Sequence, residues 1–260
     1  MKFKILMMLL FVSSNTFAVE RFYRAEENQI LIQGSYFIRQ MNIDYKSKYS
    51  VLDLDDKLSS NAVFVEGEYG LTSDLAVGVQ LNSQQNNSSR GIGDYRFNVK
   101  WQYESLFTEA SYFYSHEKLD EDNVTSGGNS FSLTVGYVFD NNLGLRLTHT
   151  PEYDYEFKDD ETDYVSGVRT QYEAFYEFDY DKNLYGVALG YTTSKSNKED
   201  GEPNGFDSKY VTLVGYSNIK YMSLEFIPSV TYFSFVDIDS DATYDSFTIL
   251  DLTLSARYRF

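Results

Sequence analysis

The chain has 260 residues, a net charge of −17, no cysteine, and 24 tyrosines and 20 phenylalanines against one tryptophan and three prolines. The charge argues against nucleic acid, whose binding needs Lys and Arg to neutralise phosphates, and the missing thiols exclude disulfide and cysteine chemistry. No segment carries the roughly twenty apolar residues of a membrane-spanning helix, whereas a membrane β-barrel stays open, because only every second residue of its strands faces lipid.

In chain order, Lys2 and Lys4 precede an apolar run from Ile5 to Val12 and a small-residue site at Thr16-Phe17-Ala18. That pattern predicts a signal peptide over residues 1–18. A short periplasmic segment is then expected over 19–28 and an outer-membrane barrel over 29–260. Alternation with period 2 predicts about twelve strands: 29–44, 61–70, 75–86, 93–104, 106–118, 129–139, 143–155, 165–180, 184–195, 207–217, 221–235 and 246–260. In the fourth, Tyr95, Phe97, Val99, Trp101 and Tyr103 alternate with Arg96, Asn98, Lys100, Gln102 and Glu104. Turning the charged set outward would cost about 2–4 kcal/mol per cation near the bilayer midplane, so the aromatic set faces lipid. The same test turns Leu75, Val77, Val79 and Leu81, then Phe131, Leu133, Val135 and Tyr137, then Tyr172, Ala174, Tyr176 and Phe178 outward. The strand at 207–217 is apolar on both faces and reads either way.

Tight connections at Thr72-Ser73-Asp74, Ser105, Asp140-Asn141-Asn142, Asp181-Lys182-Asn183 and 217–220 alternate with longer polar links. Outer-membrane barrels keep short turns on the periplasmic side, which predicts an all-β, antiparallel, up-and-down transmembrane barrel with both termini periplasmic. The sheet has to close, since lipid satisfies no free strand edge. A secreted β-sandwich explains neither the alternating connection lengths nor the final strand. That strand, Leu250 to Phe260, alternates apolar and polar residues throughout and resembles the assembly signal of outer-membrane barrels, which places that role on Tyr258 and Phe260.

Parity directs Arg39, Arg96, Lys100, Arg146, Arg169, Arg257 and Arg259 inward, together with Glu104, Glu109, Glu173, Glu177, Asp179, Glu225 and Asp251. Twelve strands leave a lumen between the filled interior of eight and the open channel of sixteen. A narrow passage lined by nearly balanced charges is therefore expected. Catalysis is not. His116 and His149 share parity with outward residues, and neither has the following Ser of a His-x-Ser strand arrangement. Asp237-Ile238-Asp239-Ser240-Asp241 copies the start of a calcium loop, but Ala242 replaces its turn glycine and Thr248 its bidentate Glu. No metal site and no cofactor are assigned.

Two stretches carry a family resemblance. Tyr69-Gly70-Leu71-Thr72-Ser73-Asp74-Leu75-Ala76-Val77-Gly78-Val79 resembles the YGLTDxLxLGV hairpin, and Gly91-Ile92-Gly93-Asp94-Tyr95 the GxGD strand start, of outer-membrane transporters of the phenol-degradation meta-pathway type. The resemblance implies passage of small hydrophobic or aromatic molecules. Long-chain fatty-acid transporters differ by an N-terminal hatch that plugs the barrel, and only the short 19–28 segment precedes the first strand here. The expected function is a porin-like channel for passive diffusion of small solutes. The alternative is a structural or surface-interaction barrel whose acidic loops bind cations. Expected partners are outer-membrane lipid and lipopolysaccharide, the barrel assembly machinery, small solutes, and Ca²⁺ or Mg²⁺ held loosely by the acidic loops; nucleic acid is not among them.

Overall fold

The computed structural model describes residues 22–45, 54–85, 90–114, 129–155, 164–204, 207–239 and 244–260. The first seven strands are β1 (Ile30–Tyr45), β2 (Leu54–Gly70), β3 (Leu75–Gln85), β4 (Arg90–Tyr103), β5 (Leu106–Tyr114), β6 (Ser130–Val138) and β7 (Leu143–Thr150). Next come two short strands, β8 (Tyr153–Tyr155) and β9 (Tyr164–Ser166), then β10 (Arg169–Tyr180) and β11 (Asn183–Ser194). A second short pair, β12 (Asn197–Glu199) and β13 (Glu202–Asn204), precedes β14 (Asp207–Tyr221), β15 (Leu224–Asp239) and β16 (Tyr244–Arg259). The twelve long strands pair with their chain neighbours, and β1 pairs with β16, closing an antiparallel barrel. The four short ones form a separate sheet at the loop end.

Closure is made by a ladder in register from Leu31↔Arg259 to Asp44↔Ser246, which shifts before Tyr45↔Tyr244 and is extended by the Phe260 N–H donating to the Ile30 carbonyl at 2.9 Å. The tight turns and both ends of the barrel sequence therefore share one end of the molecule. Left-handed residues make those turns: Glu104 (φ 49°), Asn142 (φ 62°), Asp181 and Lys182 (φ 46° and 69°) and Met222 (φ 54°). Two consecutive positive φ values at Asp181-Lys182 match the right-handed twist of the strands they join.

The molecule is inside out relative to a water-soluble domain. Val63, Val65, Phe97, Val99, Leu133, Leu145, Leu189, Leu213 and Leu254 are exposed on the outer wall, while Glu68, Glu173, Glu177, Glu225, Asp251 and Arg257 are buried inside. Such a surface suits hydrocarbon, which removes the outward apolar set from water. At the turn end the wall carries exposed rings at Tyr69, Trp101, Tyr103, Tyr137, Phe139, Tyr180, Tyr221, Tyr258 and Phe260. Trp101 stacks on Tyr103 with centroids 6.1 Å apart, and Tyr137 meets Phe139 edge-on at 5.0 Å. This is the amphipathic ring belt expected where hydrocarbon gives way to headgroups.

Several predicted boundaries move. β2 starts at Leu54 rather than at 61, because its polar first residues pair along the whole length of β1 as far as Tyr45↔Leu54. The predicted strand 143–155 breaks after Thr150, where Pro151 supplies no N–H to a ladder. The predicted turn at 217–220 is strand. Asn218 is buried against Glu225, Lys220 pairs with Glu225 in the ladder, and the chain reverses at Met222-Ser223. Polar residues that resemble a turn are here residues that face a polar interior. The same reason settles 207–217: Tyr210, Thr212, Val214 and Tyr216 point inside, and Leu213 points out.

Candidate functional site in the barrel interior

The interior has two levels. Near the turn end it is filled by the chain's own N-terminal segment, and above that lies an open cavity.

Within the short segment expected over 19–28, Phe22 to Ala25 lie inside the barrel, and Glu26 to Asn28 are exposed at its turn end. Phe22 is 2% exposed, stacks on Phe107 of β5 with centroids 4.6 Å apart, and meets Phe175 of β10 edge-on at 5.2 Å. Val138, Ala188, Val214 and Tyr216 complete this apolar cluster. A Cβ at Gly136 would lie 2.0 Å from the Phe22 ring, so only glycine lets the ring lie against β6. Tyr23 follows with its ring beneath two cations, the Arg257 guanidinium at 3.8 Å and that of Arg259 at 4.9 Å. The Ala25 N–H donates to Glu68, and Arg24 donates to the Ser73 carbonyl in the first turn. Glu26 passes so close to Gly70 that a Cβ there would fall 1.7 Å from the Glu26 carbonyl oxygen. Phe22 and Tyr23 thus pack the interior at the turn end.

The charges that parity turns inward pair within this frame. Arg39 grips Asp251 bidentately, Nε to Oδ1 at 2.8 Å and Nη2 to Oδ2 at 2.7 Å. Arg96 pairs with Glu109 and donates to Ser111 at 3.1 Å, while Arg146 reaches Glu173 at 3.2 Å. Lys100 bonds Glu68, approaches Glu66 at 3.5 Å and donates to the Tyr23 carbonyl at 3.3 Å, so it holds the N-terminal segment. Glu225 receives Arg257 and Asn218, each at 3.1 Å, and also Arg259. Glu177 accepts from the Tyr216 hydroxyl. Glu104 departs from the pattern: its positive φ places it in the turn between β4 and β5, exposed and outside the alternation that would have turned it inward. Tyr258 and Phe260, the expected assembly residues, meet edge-on at 4.6 Å at the turn end.

Above Phe107 a cavity of about 280 Å³ is set against the wall formed by β4 to β7 and β10. Among the described residues, Arg96, Arg146 and Arg169 reach it with a single carboxylate, Glu109, and the rings of Phe107 and Phe113. Hydroxyls line the far side, where Thr134 and Thr148 bond each other at 3.0 Å. Arg169 donates to the Tyr210 hydroxyl at 2.5 Å, with its guanidinium 5.8 Å from that ring. Sequence reading found the arginines here and missed the rings. Phe107, Phe175, Tyr210 and Tyr216 occupy inward positions, and apolar residues at polar-face positions were the available signal.

His149 lies on the outer wall, with Nδ1 3.0 Å from the Thr170 hydroxyl. His116 and most of the acidic links, including 120–122, 159–163 and 240–243, lie outside the described residues, as does the expected signal peptide. Among the described residues no cluster of His, Cys, Asp or Glu is arranged to hold a metal ion.

No family model matches the chain, and no curated protein matches it. Solved structures do. The COG4313 outer membrane channel from Pseudomonas putida F1 aligns over 95% of this chain and all of its own, with a TM-score of 0.65 and 14% identity. The translocator domain of the autotransporter NalP from Neisseria meningitidis aligns over 100% and 96%, with a TM-score of 0.58 and 8% identity. The CymD monoaromatic hydrocarbon channel aligns over 90% and 89%, with a TM-score of 0.50 and 10% identity. At these identities the likeness is one of fold: the chain has the closed β-barrel fold of outer-membrane proteins.

Proposed function

We propose that the chain is an outer-membrane channel for passive diffusion of small solutes, hydrophobic or aromatic ones included, with the turn end and both termini on the periplasmic side. The observation that carries this reading is the division of its surface: an apolar outer wall with a ring belt, around a charged interior that still contains a cavity of about 280 Å³. Lining charges and pore width set what such an interior passes. That two proteins of like fold are described as channels, one of them for monoaromatic hydrocarbons, supports it. Phe22 to Ala25 make the narrow point. Lipid and lipopolysaccharide surround the wall, the assembly machinery reads the last strand, and the acidic loops associate loosely with divalent cations. Glu66, Glu68, Glu109, Glu173, Glu225 and Asp251 are paired with arginine or lysine and Glu177 with the Tyr216 hydroxyl, and we assign them no catalysis.

A second reading, a barrel that serves structure or surface contact, is favoured by one observation: the Phe22, Phe107 and Phe175 packing fills the turn end. Liposome swelling separates the two. Proteoliposomes are expected to swell faster than protein-free ones in solutes of single-ring size and to exclude oligosaccharides. Swelling no faster than that of protein-free liposomes for any solute, with the barrel inserted, would leave the structural reading.

A further inference from the structure

We infer that the cavity above Phe107 is a binding site for small monocyclic aromatic carboxylates, an assignment that names a substrate class for the proposed channel and so rests on that reading for its purpose. The charges decide the ligand's sign and number. Two of the three arginines are matched, Arg96 by Glu109 and Arg146 by Glu173. The third is not: among the described residues Arg169 meets no carboxylate, and its partner is the neutral hydroxyl of Tyr210. Among the described residues the cavity therefore carries one positive charge in excess, which selects a monoanion, and Glu109 disfavours a second negative charge. A guanidinium held through one nitrogen keeps the rest of its planar donor set, the geometry that receives a carboxylate in bidentate fashion.

The remaining walls decide the ligand's body. Phe107 forms the floor, backed by the Phe22 ring 4.6 Å away, and Phe113 forms a side beneath the Arg96 guanidinium. Phe107, 2% exposed, closes the floor, and the half-buried Phe113 ring is the one that can stack or edge-pack a planar ligand. A volume of about 280 Å³ sits at the small end of ligand pockets, which begin near 300 Å³. One ring fits. A short aliphatic acid would leave the Phe113 ring without a planar partner.

The test is a titration of the purified full chain in detergent with benzoate, with benzyl alcohol as the ring without charge, and with propionate as the charge without ring. Benzoate is expected to bind saturably and about tenfold or more tighter than either, the equivalent of one charged hydrogen bond or one stacked ring. Arg169→Gln, checked as folded by its unheated gel mobility, is expected to bring benzoate down to the level of benzyl alcohol. Benzoate that binds no tighter than benzyl alcohol, or binds folded Arg169→Gln as well as it binds the parent, overturns the assignment. Binding requires no passage: a barrel that binds benzoate yet fails to conduct refutes the channel, and one that conducts without binding benzoate refutes the site.

Discussion

A single carboxylate shows how the interior is held. Glu225 is 4% exposed and accepts from Asn218, Arg257 and Arg259, and the same two arginines cover the Tyr23 ring. Taking one partner out of a buried ion pair strands the other charge, at a cost of about 3–5 kcal/mol. Glu225→Gln is accordingly expected to lower the temperature at which the folded, fast-migrating form is lost on gels. The Lys198–Glu152 pair is a contrast, with side chains 39% and 42% exposed. Exposed pairs contribute about 0–1 kcal/mol, so Glu152→Gln should leave that temperature unchanged. Equal shifts for the two variants would show that the interior pairs are not holding the barrel. Residue by residue, alternation gave Arg39, Arg96, Arg146, Arg257 and Asp251 their direction because strand geometry leaves two choices. It failed for Glu104, where a left-handed turn residue ended the alternation one position early.

At the scale of elements, β4 is the sharpest example, with Arg96, Asn98 and Lys100 on one face and Phe97, Val99 and Trp101 on the other. Val99→Glu with Trp101→Glu is expected to prevent insertion, since a carboxylate on the lipid side lacks any partner. Arg96→Gln, which alters the interior face only, should insert normally; insertion of both, measured by recovery in the heat-resistant membrane fraction, would contradict the face assignment. Lys100 is unsuited to that comparison, because it also holds the Tyr23 carbonyl and Glu68. The strands were legible because lipid on one side and polar groups on the other force period 2. Two features were hidden for physical reasons. Outside the bilayer, polar strand extensions such as the start of β2 satisfy the ladder without an apolar face. Inside the barrel, apolar residues that cluster with Phe22 blur the face contrast, as at Val214 and Tyr216.

The described residues form a closed wall around an interior that is packed at the turn end and holds a cavity above it. Phe22 to Ala25, in the short segment expected before the first strand, run within that interior, with Phe22 at 2% and Ala25 at 0% exposure. No periodicity announces such a segment; only the barrel around it gives its two rings something to pack on. If the barrel is a channel, this segment sets its width. Single-channel recording in a planar bilayer tests that most directly, comparing the parent chain with Phe22→Ala/Tyr23→Ala, which removes the two rings and leaves the wall intact. Small current steps are predicted from the parent and distinctly larger ones from the variant. Silence from both, with the folded barrels shown to be in the bilayer, would contradict the account.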